Sequence, residues 1–144
     1  MSRVGLHPIL IPEGIEFNFT DNIFSVKSNK GDLSLKIASG FEFTNDDTGQ
    51  LIVKRPDDNK STKAKHGLYR SIIANMFLGL SKGFRKELEL HGVGYRASNS
   101  GQKLDLSLGY SHNIVLEVCK EVSLTTETEK GKRPKIILES FDKQ

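Results

Sequence analysis

Residues 57–83, DDNKSTKAKHGLYRSIIANMFLGLSKG, read as the one long helix of the chain, and the segments on either side alternate like strand. Apolar side chains recur at Ala64, Leu68, Ile72, Met76 and Leu80, widened by Ile73 and Phe77, which is the three-and-four spacing of one buried face. That face is expected to lie on a sheet. Asp57, Asp58 and Ser61 offer oxygens to the amides of the first turn, and Gly83 after Lys82 supplies a left-handed stop. Gly67 and Gly79 each cost about 1 kcal/mol relative to alanine, which points to close approach of another backbone, protein or RNA. Lys60, Lys63, Lys65, His66 and Arg70 crowd the opening half and are expected to form a solvated flank.

Upstream, MSRVGLHPILIPEG (1–14) reads as an extended, proline-stiffened arm with a basic start at Arg3. Ile15, Phe17 and Phe19 then alternate with polar residues, Asp21-Asn22 turns the chain into Phe24 and Val26, and Asn29-Lys30-Gly31 turns it again into Leu33, Leu35 and Ile37. Phe41 and Phe43, the turn NDDTG at 45–49 and Leu51-Ile52-Val53 complete a first unit, 15–82, of antiparallel sheet closed by the helix. After Gly83 the pattern starts again over 83–144. Ser28-Asn29-Lys30-Gly31 matches Ser98-Asn99-Ser100-Gly101, Asp32-Leu33-Ser34-Leu35 matches Asp105-Leu106-Ser107-Leu108, and Leu51-Ile52-Val53 is echoed by Ile136-Ile137-Leu138. Their shared order suggests an internal duplication and an α+β fold of two tandem units. The first is closed by its helix, whereas FDKQ follows the last strand of the second. A second sheet without a helix would leave apolar area in water at roughly 25 cal/mol per Å², so either another molecule, such as a separate chain, is expected to cover it or the second half is expected to be only marginally ordered alone.

The 144 residues suffice for one ordinary domain or two small ones, and the 36% hydrophobic content favours two thin cores. A net charge of +3 with 21 Lys+Arg permits a polyanionic partner without requiring one. Cys119 is the single cysteine; with Val115, Leu116 and Val118 beside it, a buried, inert thiol is expected. No stretch is long and apolar enough for a membrane span or a signal peptide.

No constellation carries catalytic chemistry. His7, His66, His91 and His112 fall in different elements without metal-ligand spacing, and His91 reads as a structural histidine in a strand. The glycines of HGVGYRASNSG lack the following helix that a nucleotide-binding loop needs. A hydrolase would need His and acid residues to converge in a cleft, which the sequence disfavours. Gly92 and Gly94, flanking Val93 in an expected strand, suggest a bulge or close approach of another backbone. Tyr95 beside Arg96 pairs a stacking surface with a bidentate phosphate donor. Lys103, the turn Gly109-Tyr110-Ser111-His112 and the run KGKRPK (130–135) add donors and charge, with Lys143 beyond them. The same residues also suit an ordinary sheet edge and a solvated loop.

The opening MSRVGLHPILIPEG, the segment HGLYRSIIANMFLGLSKG and above all LELHGVGYRASNSGQKLDLSLGYSHNI resemble the bacterial-type large-subunit ribosomal protein six, the L-six family, in order over essentially the whole chain. The resemblance implies two similar sheet-and-helix units and a non-enzymatic structural role, without cofactor or metal, in the large ribosomal subunit of a bacterium or of an organelle with a bacterial-type ribosome. It implies docking of the second unit on large-subunit rRNA beside the sarcin-ricin loop and the factor-binding site. Neighbouring large-subunit proteins are implied as partners, and a ribosome-derived protein-interaction module without RNA binding is the alternative. Carried onto this sequence, the RNA-facing candidates are Tyr95, Arg96, Lys103, Ser111 and His112, joined by the basic Lys132, Arg133, Lys135 and Lys143. Arg3, Lys63, Lys65 and Arg70 are secondary basic candidates. The family pattern continues beyond the position of Gln144 with a helix and a basic tail.

Overall fold

The computed structural model describes residues 3–143; Met1 and Ser2 of the expected arm, and Gln144, lie outside the described residues. In chain order the elements are α1 (Arg3–Leu6), β1 (Ile9–Leu10), β2 (Glu16–Thr20), β3 (Ile23–Ser28), β4 (Gly31–Lys36), β5 (Glu42–Asn45), β6 (Gln50–Lys54) and α2 (Lys60–Ser81). There follow β7 (Phe84–Glu89), β8 (Arg96–Ser100), β9 (Lys103–Ser107), β10 (Ile114–Glu117), β11 (Ser123–Glu127) and β12 (Lys135–Ser140). The strands form four three-stranded antiparallel sheets, ordered β1-β6-β5, β2-β3-β4, β11-β12-β7 and β10-β9-β8, in an α+β fold. The chain divides after Lys82; Gly83–Ser140 forms a second compact unit, and the segment from Phe141 returns to the first.

In the first unit the alternation of β2 and β3 sends Phe17 and Phe24 inward, where the rings stack at 5.6 Å, and Phe43 closes on Phe24 at 4.8 Å. Asp21 and Asn22 both adopt positive φ, +54° and +61°, the geometry that a two-residue hairpin with native twist demands. The N-terminal segment is less extended than its prolines imply. It makes one helical turn, α1, and then pairs Ile9 with Leu51 and Leu10 with Gln50 along β6.

Helix α2 starts three residues later than the sequence suggests. Asn59 is its N-cap and makes no side-chain capping bond. Asp57 instead accepts from the Asn59 amide at 3.0 Å and from the Thr62 side chain, and Asp58 pairs with Arg55 at 2.8 Å. Gly83, with φ of +79°, does terminate the helix in the left-handed region. The buried stripe also differs from the expected one. His66, Tyr69, Ile73, Met76, Phe77 and Leu80 face the sheets, while Ala64 and Leu68 face outward. Both stripes satisfy helical spacing, and hydrogen bonding decides between them. His66 Nε2 lies 2.8 Å from the Val53 carbonyl oxygen, and the Tyr69 hydroxyl accepts from the Ala38 amide at 3.1 Å. Two polar-tipped rings with partners for their tips fill the core better than Ala64 and Leu68 would.

The second unit repeats the first strand for strand. The meander β8-β9-β10 corresponds to β2-β3-β4, and the order β7-β12-β11 to β1-β6-β5. This correspondence corrects two of the sequence matches. The turn at Asn99–Gly101 joins β8 to β9 and is therefore the counterpart of Asp21-Asn22, whereas Asn29–Gly31 is the counterpart of the β9–β10 loop. The Asp-Leu-Ser-Leu stretches thus lie one strand out of step, and only Leu51–Val53 with Ile136–Leu138 joins equivalent strands, β6 and β12.

The inner faces of the second unit's two sheets pack on each other through Ala97, Leu104, Leu106, Leu124 and Ile136. The edge strands stay uncovered, so Leu88 on β7 and Leu116 on β10 are each half exposed. Cys119 is exposed rather than buried, because β10 ends at Glu117 and the chain turns outward. Gln102 holds that turn, its side-chain amide donating to the carbonyls of Cys119 (2.6 Å) and Val122 (2.9 Å).

Candidate nucleic-acid interface

Strand directions decide which candidate residues meet. β7 runs toward Glu89 while its partner β12 starts at Lys135; β8 starts at Arg96 and β9 ends at Ser107 opposite it. β11 ends at Glu127 against Lys135, and the Thr128 hydroxyl donates to the Ala97 carbonyl at 2.9 Å. Three loops, 90–95, 108–113 and 128–134, therefore open at one end of the second unit. Tyr95, Arg96, Ser111, His112, Lys132, Arg133 and Lys135 all lie at that end.

The first of these loops departs from expectation. Gly92, Val93 and Gly94 form a turn between β7 and β8 rather than a bulged strand: the Tyr95 amide donates to the Gly92 carbonyl at 3.4 Å and Gly94 has φ of +76°. The close approach that Gly92 permits is intramolecular. A Cβ there would overlap the ring of Tyr95, and Gly109 of the second loop comes within 3.7 Å of the same ring by that construction. Tyr95 is thus half-buried between two glycine backbones and locks two of the loops together, with only part of its ring open to a partner. Val93 at the tip is fully exposed, Arg96, Ser111 and His112 are exposed, and Tyr110 is two-thirds exposed with its ring 6.4 Å from that of His112. Tyr110 is the better placed stacking surface, and the turn Gly109–His112 was its signal in the sequence.

The third loop carries more acid than its own sequence suggests. Lys132 pairs with Glu129 at 2.6 Å, and Arg133 stands 4.0 Å from Glu89 and 3.5 Å from His91. Lys135 lies between Glu89 and Glu127 across the sheet. Glu129 belongs to the loop itself, whereas sheet pairing brings in Glu89 from β7 and Glu127 from β11, which a linear reading of KGKRPK does not see. His91, expected in a strand, sits just beyond β7 at 3.1 Å from Glu89.

The remaining candidates fall elsewhere. Lys103 shares a sheet face with Arg96 but lies at the opposite end of the hairpin, across from Ser100. Lys143 belongs to the first unit, near Leu33, Ile72 and Met76. Arg70 is committed within its own unit, donating to the carbonyls of His7 and Pro8 at 3.2 Å each. His66 leaves the expected solvated flank for the core, whereas Arg3 and Lys65 are exposed and Lys63 half-exposed. Among the described residues no cluster of His, Cys, Asp or Glu could hold a metal ion, and no helix is long and apolar enough to cross a membrane.

The family model described as Ribosomal protein L6 matches residues 11–83. Over its whole length the chain is 56% identical to large ribosomal subunit protein uL6 of Flavobacterium johnsoniae and 54% identical to that of Flavobacterium psychrophilum, spanning 79% of each. It is 52% identical to uL6 of Parabacteroides distasonis, spanning 78% of that protein.

Proposed function

This chain belongs to the ribosomal protein L6 family, and from that premise we propose that the three-loop end of its second unit is the surface that docks on large-subunit rRNA, beside the sarcin-ricin loop and the factor-binding site. The protein is a structural, non-enzymatic constituent of the large ribosomal subunit of the bacterial cytoplasm, with rRNA and neighbouring ribosomal proteins as partners. The observation that carries the surface is the convergence of the loops. It places the fork of Arg96, the rings of Tyr110 and His112, the Ser111 hydroxyl and the cations of 132–135 on one edge. Such a set suits phosphate positioning and shape recognition of an RNA hairpin rather than base reading. Lys132 and Arg133, already beside Glu129 and Glu89, would exchange those exposed pairs for phosphates at little cost, because exposed ion pairs contribute about 1 kcal/mol or less.

The test is assembly of the tagged chain into large subunits, read by sedimentation and RNA crosslinking. Arg96→Ala with Lys132→Ala and Arg133→Ala is expected to reduce association and to flatten its log–log salt dependence by about 2–3 in slope. Unchanged association and slope would reject the surface and favour a protein-interaction module. The half-exposed Leu88 and Leu116 support a further element of this reading, a separate polypeptide lying over the open edge of the second unit's core. A photo-crosslinker at Leu116 is then expected to attach to protein, and attachment to rRNA alone would refute the cover.

A further inference from the structure

In the first unit, α1 and the opening half of α2 border an open, shallow groove of about 630 Å³. Its apolar lining is Val4, Ala64 and Leu68, of which Val4 is 52% and Leu68 55% exposed. Lys60 and Lys63 line it as well, and among the described residues neither has an ion-pair partner. The acid on the groove, Asp58, is matched by Arg55 at 2.8 Å, so the lysine charge is left uncompensated. Arg3 stands next to Val4.

We propose that this groove docks an acidic amphipathic segment of a neighbouring protein, with apolar side chains against Val4, Ala64 and Leu68 and carboxylates toward Lys60 and Lys63. The complementarity identifies the occupant. Apolar side chains line the groove and no aromatic side chain does, so it offers bases nothing to stack on, whereas the lysine rim disfavours a basic or purely apolar segment. The surface explains why Ala64 and Leu68 keep helical spacing on a face of α2 that stays exposed beside α1. It is independent of the RNA surface of the second unit.

The full chain, labelled for NMR, can be titrated with a short synthetic helical peptide of glutamates and leucines, and separately with a single-stranded oligouridylate. The peptide is expected to shift the amides of Val4, Lys63, Gly67, Leu68 and Ser71 saturably, with a dissociation constant on the order of 0.1–1 mM. Lys60→Glu with Lys63→Glu is expected to weaken it at least tenfold while leaving the thermal midpoint unchanged, and Leu68→Ala to weaken it without altering its salt dependence. Absence of shifts on this face, insensitivity to the charge reversal, or stronger perturbation by the oligouridylate would each overturn the proposal.

Discussion

His66 is fully buried, and its two neighbours define its hydrogen-bonding state. The Val53 carbonyl can only accept, so Nε2 carries the proton; the Arg55 guanidinium, 3.5 Å from Nδ1, can only donate. The ring lies so close to α1 that a Cβ at Gly5 would overlap it. Gly5→Ala is therefore expected to lower stability by about 1–3 kcal/mol in urea unfolding, since neither the short helix nor the doubly tethered ring can move freely. A second residue-scale prediction concerns Asp46. Its Oδ1 accepts from the Thr48 hydroxyl at 2.7 Å, the Gln50 amide at 2.9 Å and the Thr48 amide at 3.0 Å. These bonds, the Thr48 hydroxyl foremost, hold the carboxyl below its ordinary value of 3.8. With the folded value depressed, the turn's contribution is present above 3.8 and fades as pH falls through the lower folded value. Thr48→Ala is expected to bring the Asp46 titration, followed by its side-chain carboxyl carbon shift, back toward 3.8.

At the scale of elements, the loop between β7 and β8 is held by Tyr95 lying over Gly92. Gly92→Ala should expel the ring, loosen the 108–113 loop that it also touches, and reduce rRNA association more than Val93→Ala, although Val93 is the more exposed residue. Equal effects of the two substitutions on RNA crosslinking would show that Tyr95 does not organise the surface. Local pattern made strand identity and the existence of α2 legible in the sequence, because alternation and helical spacing are properties of neighbouring residues. What it left hidden depends on which groups the fold brings into contact. The inner face of α2 is set by Val53 and Ala38, the charge around 130–135 by Glu89 across the sheet, and the role of Gly92 by a ring three residues away folding back. The duplication was visible but one strand out of step in its first half, since short turn motifs recur in any antiparallel meander and only sheet order distinguishes one turn from the next.

On the scale of the whole molecule, the two units repeat one topology over very different cores. Among the described residues the first unit gathers thirteen buried apolar side chains in its core, four of them aromatic, and the second gathers five, none aromatic, with Ile137 buried apart from them. Buried apolar side chains contribute about 1.5–3 kcal/mol each before chain entropy is counted, so the free chain should open its second unit first. Native-state hydrogen exchange is expected to show amides of Ile136–Leu138 exchanging through an opening lower in free energy than that of Ile73–Phe77 in α2. A single shared opening energy would mean that the chain folds as one cooperative body and would contradict the inequality of the cores. The weaker unit is also the one that carries the three converging loops. A ligand that binds only the folded state stabilises it by RT ln(1 + [L]/Kd), or about 2.7 kcal/mol at a hundredfold excess over Kd. Adding the rRNA hairpin at that excess is therefore expected to raise the protection of Ile136–Leu138 by this amount and to leave Ile73–Phe77 unchanged; the reverse pattern would place the RNA on the first unit.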